Sequence, residues 1–277
     1  MEISFYKVFL GARDYILING FHQPLPSEDR IEDFARQICH RHTGVGGMGL
    51  IILEPDSEHS AAVQFLAPEG PESAPSSAVL MCASRYVFDY GLAQKEKIVL
   101  QTIAGPSTLQ CIDSQHFSLL VGTPTSDGSR PIVPGQAVDY QVQIRTGGRT
   151  VSCTPVQFTN PLAAIYMTER QEQVHEPLKM KDGIYQPVYY RVFSSEEIEL
   201  LRLSSDEIDS IEAAAAAAVA AVSNGFCDRD AVVLQPDGGQ FFFEWNERSN
   251  SVFITATPRY AFAGSFAFEE EEYGPAD

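Results

Sequence analysis

Ser210-Ile211-Glu212-Ala213-Ala214-Ala215-Ala216-Ala217-Ala218-Val219-Ala220-Ala221-Val222-Ser223-Asn224-Gly225 is the stretch on which the reading of the chain turns. Six consecutive alanines give it high helical propensity, and Asn224-Gly225 supplies the stop that commonly ends a helix. Upstream, Ser204 and Glu207 stand at capping-box spacing, so the pattern predicts a helix over 205–223 that begins ahead of Ser210. Moving back 134 positions reveals a related stretch, with Ser76 matching Ser210, Ala83 matching Ala217 and Gly91 matching Gly225. Beyond the helix, Val99-Leu100-Gln101 matches Val233-Leu234-Gln235 and Gly105 matches Gly239. Seven identities in thirty positions stand against a chance expectation of roughly two. Each copy reads as helix, Gly stop, strand, Gly turn and strand, so the first copy predicts a helix over 76–90 and the whole predicts two related halves.

At 277 residues and 44% hydrophobic, the chain is long enough for two domains with a core each. The expected division is 1–115, 116–258, and a closing strand with an acidic tail over 259–277. Acidic side chains number 37 against 19 basic ones. A surface of that sign repels phosphate backbones and anionic lipid, which excludes nucleic acid and membrane as partners. The longest nearly apolar run, Ile211 to Val222, is interrupted by Glu212 and falls short of the roughly 20 residues of a membrane span. The opening residues alternate as a strand and carry Glu2 and Lys7, unlike a secretory signal, so a cytoplasmic location is expected. Five cysteines, Cys39, Cys82, Cys111, Cys153 and Cys227, form no Cys-x-x-C and no Cys/His cluster at metal spacing. Reduced, mostly buried thiols are expected, with no metal and no cofactor.

Strand patterns on either side of Gly11 predict a hairpin. Ile31, Phe34, Ala35, Ile38 and Cys39 recur at helical spacing, with Ser27 as the expected N-cap. Gly44-Val45-Gly46-Gly47-Met48-Gly49 satisfies G-x-G-x-x-G on paper. A dinucleotide fingerprint needs a strand before the glycines and a helix after them, and here the order is reversed, so the match is read as false. The short apolar runs 140–144, 156–158, 163–167 and 188–193 read as a curved antiparallel sheet. Phe241 to Trp245 and Ser251 to Thr255 make a second hairpin.

These landmarks resemble the diaminopimelate epimerases over nearly the whole chain. Phe5-Tyr6-Lys7 to Asn19 is similar to the family's opening strand, loop and strand, and Arg41-His42-Thr43-Gly44-Val45-Gly46 to its Arg-His-x-Gly-Val-Gly turn. Arg85 to Gly91 resembles the end of the first central helix, Ala216 to Asp228 the second, and Glu244-Trp245 and Ala261-Phe262-Ala263-Gly264 fit too. The resemblance implies an α/β (α+β) fold of two similar domains. Each is a strand-rich barrel around one central helix, with a small-molecule site in the cleft between them.

At the active positions the sequence departs from that pattern. The family carries two cysteines, each opening a Cys-Gly-x-Gly segment at a central helix start. Counted from Gly91 and Gly225, those places hold Ser76-Ser77-Ala78-Val79 and Ser210-Ile211-Glu212-Ala213. A thiol of pKa about 8.5 can exchange protons near neutrality, whereas an alcohol needs a strong local base. Losing the glycines also removes the bare N–H groups that would hold a substrate carboxylate. Of the family's substrate contacts Asn160 survives, Arg13 and Ala67 stand at two others, and Arg202 stays where a Glu-Arg pair would be. Ser76 and Ser210 read first as helix caps, and Asn160, Arg202, Arg13 and Glu69 as candidate ligand contacts. His42 reads first as a turn residue, and Glu69 and Glu72 as loop carboxylates able to serve as a base. Three functions follow in order of expectation. The first is a diaminopimelate epimerase-like pseudoenzyme or ligand-binding homologue without two-thiol activity. The second is an isomerase of changed chemistry using Glu69, Glu72, Glu212 or His42. The third is the epimerase of lysine biosynthesis itself. A homodimer is the expected assembly.

Overall fold

Glu2–Leu10 (β1) and Arg13–Asn19 (β2) pair antiparallel around a turn at Gly11, whose φ of 58° favours glycine. In the computed structural model all residues are described except 70–71, 94–95, 128, 136–139, 147, 169–172, 174–175, 202, 204, 206–207, 237–238 and 269–277. The chain divides into two units, Met1–Phe117 with Pro258–Asp277, and Ser118–Thr257.

In the first unit α1 (Ile31–Cys39) links β2 to the parallel strand β3 (Leu50–Glu54). Strand β4 (Ala61–Leu66) pairs antiparallel with β3. Helix α2 (Ser77–Asp89) then carries the chain to β5 (Lys97–Thr102), parallel to β4, and β6 (Gly105–Cys111) returns antiparallel. Helix α2 buries residues on every side, from Ala78 through Ser84 to Tyr86 and Val87. A helix apolar all round belongs at the centre of its sheet rather than on a surface.

The second unit holds β7 (Phe117–Gly122), β8 (Val142–Thr146), β9 (Arg149–Gln157), β10 (Pro161–Tyr166), the short β11 (Leu178–Lys179), β12 (Ile184–Ser194) and β13 (Glu197–Leu200). Helix α3 (Ser210–Ser223) and strands β14 (Asp230–Leu234), β15 (Gln240–Asn246) and β16 (Ser251–Ala256) complete it. Pairing runs antiparallel for β9–β10, parallel for β10–β12, antiparallel for β12–β13, parallel for β13–β14 and antiparallel for β14–β15. The first unit follows the same succession from β1 to β6. In both, the central helix crosses between the last parallel pair. The final strand, β17 (Arg259–Ala267), pairs antiparallel with β1 in the first unit.

Three expectations are corrected. Helix α1 starts at Ile31 after Arg30, with no side-chain cap, while the Ser27 carbonyl accepts the Arg30 N–H at 2.9 Å in a turn. Residues 27–30 bring no apolar side chain to the core, and tertiary packing holds the helix only where its apolar face begins. Helix α3 starts at Ser210, not before it. Asp209 Oδ1 accepts Ile211 N–H at 2.8 Å and Glu212 N–H at 3.2 Å, a carboxylate cap that fixes the start there. The capping pair Ser204 and Glu207 and the acidic tail lie outside the described residues. Lastly, the sheet of the second unit is mixed rather than antiparallel, because the connection carrying β11 brings β12 parallel to β10.

Candidate functional site

In the first unit Ser76 is the N-cap of α2, its Oγ accepting the Val79 N–H at 3.4 Å. Arg13 opens β2 and is half-buried, and Glu69 is exposed in a turn. Glu72 is also exposed, and its Oε2 accepts from Gln64 Nε2 at 3.3 Å. His42 is exposed beside His40, whose Nδ1 accepts the His42 N–H at 3.3 Å. The glycine-rich segment has no free cradle. Gly44, Gly46 and Gly47 donate their N–H groups to carbonyls of residues 40, 38 and 39 at the end of α1. Lys7 Nζ donates to the Gly46 carbonyl and pairs with Asp14 at 2.6 Å, and Arg41 pairs with the same carboxylate at 2.9 Å. Hydrogen bonds from Arg41 and Lys7 hold the Asp14 carboxyl below the usual range against the opposing effect of its burial.

In the second unit the α3 start gathers Asp209, Ser210, Glu212 and Asn160. Asp209 consumes the N–H groups of Ile211 and Glu212. Glu212 is 6% exposed, and its Oε2 accepts from Asn160 Nδ2 at 2.9 Å and from Asn160 N–H at 3.3 Å. Asn160 sits in the bend between β9 and β10 and is itself exposed. Ser210, expected as the cap of α3, is instead its first helical residue because the Asp209 carboxylate takes the capping position, and its Oγ is buried without a hydrogen-bond partner among the described residues. The helix start therefore carries two carboxylates of its own, Asp209 on the N–H groups of Ile211 and Glu212, and Glu212 on Asn160. Burial raises the Glu212 carboxyl above its ordinary range despite the Asn160 bonds. Arg202 lies outside the described residues.

Glu212 gives a pH-dependent prediction. A carboxyl whose folded pKa is raised contributes stability below its unfolded value, about 4.3, and loses it as pH rises through the folded value. Glu212→Gln is expected to match the parent in urea denaturation below the unfolded value and to exceed its stability by a margin that opens as pH rises past that value and levels off above the raised folded one. A variant weaker than the parent at pH 8 would mean that the Asn160 bonds outweigh desolvation.

Cys39 and Cys153 are buried and pushed up to about 12, and burial also raises Cys82, Cys111 and Cys227. Among the described residues no group of His, Cys, Asp and Glu is placed to hold a metal ion, and no helix is long and apolar enough to cross a membrane. Asp209 is the site residue that sequence reasoning missed. Its signal was the preference of aspartate for the N-cap one residue before the first helical position.

No family model matches the chain. Curated proteins named diaminopimelate epimerase are 24–28% identical to it. That of Heliobacterium modesticaldum is 26% identical over 281 residues, covering 95% of this chain and 99% of the relative. Among solved structures, a phenazine biosynthesis protein of the PhzF family from Enterococcus faecalis superposes with a TM-score of 0.66 at 14% identity, over 97% of this chain and 100% of the other. A hydroxyproline epimerase from Agrobacterium vitis with bound trans-4-hydroxy-L-proline superposes with a TM-score of 0.59 at 13% identity, over 98% of this chain and 94% of the other. These structural likenesses establish the fold.

Proposed function

From its membership of the diaminopimelate epimerase family, we propose that this chain is a homologue that has given up two-thiol proton transfer and serves as a non-catalytic or ligand-binding protein. One observation carries the reading. Ser210 opens α3 where the resemblance implies a catalytic cysteine, and the donors beside it are taken by Asp209 and Glu212. At α2 the corresponding Ser76 is itself the cap, its Oγ on the Val79 N–H. Without thiols near neutral pKa, both the base and the acid of an α-proton exchange are lacking. The reading takes the protein as cytoplasmic, homodimeric, and directed at a small molecule through Asn160, Arg202, Arg13 or Glu69.

The test is solvent exchange. Purified protein incubated in deuterium oxide with LL- or meso-diaminopimelate is expected to leave the α-proton in place, as a boiled control does. Exchange at the rate of an epimerase would overturn the proposal and return the chain to lysine biosynthesis.

The raised, buried carboxyl of Glu212 favours a second reading, an isomerase of carboxylate chemistry. It requires α-proton exchange with some amino acid, trans-4-hydroxy-L-proline included, that Glu212→Gln abolishes. Exchange that survives Glu212→Gln removes this reading.

A further inference from the structure

The second unit contains a cavity of about 560 Å³ whose wall includes Arg130, Arg145, Lys179 and Lys181. In a chain with 19 basic residues and 37 acidic ones, four cations around one hollow is a concentration against the overall charge. Seven of the described basic residues outside the cavity are paired. Lys7, Arg30, Arg36, Arg41, Arg85, Arg191 and Arg229 each lie within salt-bridge distance of a carboxylate. The four of the cavity make no salt bridge with any described residue. Arg130 instead sits over the ring of Tyr140, 5.2 Å from its centre.

Two carboxylates also line the hollow, and both are engaged by neighbours. Asp127 accepts from Ser129 N–H at 3.0 Å, Ser129 Oγ at 2.9 Å and Arg130 N–H at 2.6 Å, which lowers its pKa and keeps it ionised. Asp182 accepts from the Tyr185 hydroxyl at 2.5 Å. Four cations against two carboxylates leave a surplus of two positive charges. A concave wall with a net charge concentrates the field inside it and draws counter-charge, and a volume of several hundred cubic ångströms is the size of a small-molecule site. The framework is firm on one side. Arg145 projects from β8, paired with β9, and Lys179 from β11, paired with β12, above a cluster of Cys153, Ile165, Met167, Leu178, Tyr185 and Tyr189.

We propose that this cavity binds a small multivalent anion, a metabolite carrying two or more negative charges on phosphate or carboxylate groups, with Arg145, Lys179, Lys181 and Arg130 as its cationic contacts. Such a site stands apart from Ser210, Glu212 and Asn160, none of which lines the cavity, and is independent of whether the chain retains catalysis.

Isothermal titration of the intact protein with pyrophosphate and, separately, with citrate tests it and distinguishes the two anion types. Saturable one-to-one binding of at least one of them is expected, weaker at physiological than at low ionic strength because the contacts are screened. The double variant Arg145→Ala, Lys179→Ala is expected to weaken it by at least about tenfold, the scale of losing charge-assisted contacts. Both residues are exposed, and unchanged far-ultraviolet circular dichroism and melting temperature without ligand verify the variant's fold. Arg248→Ala, which removes an exposed cation outside the cavity, is expected to leave binding unchanged. Absence of saturable binding by both anions, or equal binding by the double variant, would overturn the proposal.

Discussion

Gly44→Ala is expected to destabilise the first unit by about 2–4 kcal/mol, the range of a steric conflict that the fold cannot relieve. A Cβ at this position would stand 2.2 Å from the Gln37 carbonyl oxygen, 2.7 Å from that of Ile38 and 3.0 Å from that of His40. All three are backbone atoms at the end of α1, and the carbonyls of Ile38 and His40 already accept N–H groups from residues 44–46. No side chain can swing aside to make room. Gly91 provides the contrast, since its φ is 66° and nothing lies within 4 Å of a Cβ built there. Gly91→Ala should cost only the left-handed conformational penalty, about 1–2 kcal/mol. Urea denaturation of the two variants checks the difference, and a Gly44→Ala protein no weaker than Gly91→Ala would refute the argument. The glycine-rich segment is thus a place of close backbone packing, and its likeness to a phosphate loop is a by-product of that requirement.

Ala216→Leu should cost about 3 kcal/mol, toward the upper end for inserting bulk into a packed core. Residues Ala213 to Ala218 have no exposure at all, and α3 touches strands from β9 and β10 through β12 to β16. Every face of the helix meets sheet, so a branched side chain has no direction in which to relax. Ala216→Gly, which removes a methyl group instead, should cost nearer 1 kcal/mol from helix propensity. Thermal unfolding of both separates crowding from propensity. A leucine tolerated within about 1 kcal/mol would mean that the sheet closes less tightly on the helix than its burial indicates.

Much of the architecture was legible because it is local. The β1–β2 hairpin, the span of α2, the Ser76 cap and the β15–β16 hairpin follow from residues within one turn or one period of each other. Helix starts were harder, since Ser27, Ser204 and Asp209 all offer capping chemistry. The choice among them falls to which residues reach the core. The parallel pairing of β10 with β12 depends on a long connection whose path no short-range pattern sets. At the site, the missing cysteines could be read directly from the sequence. The bond between Asn160 and Glu212 spans 52 residues, and no periodicity links a bend in one strand connection to the first turn of a later helix. The four cations of the anion cavity are scattered from 130 to 181 and converge only when the segment before β8, β8 itself and the stretch around β11 meet.

The return of β17 to β1 sets the order in which the molecule can be finished during synthesis. Phe9 pairs with Arg259, so the opening strand leaves the ribosome long before its partner exists. At about 5–20 residues per second that interval is roughly 10–50 s. The segment 118–257 emerges entirely within it and has every strand it needs to fold first. Throughout that time β1 presents an unpaired edge bearing Ile3 and Phe5, a template for association with other nascent chains. A chain cut short before 259 is left with that edge of β1 open.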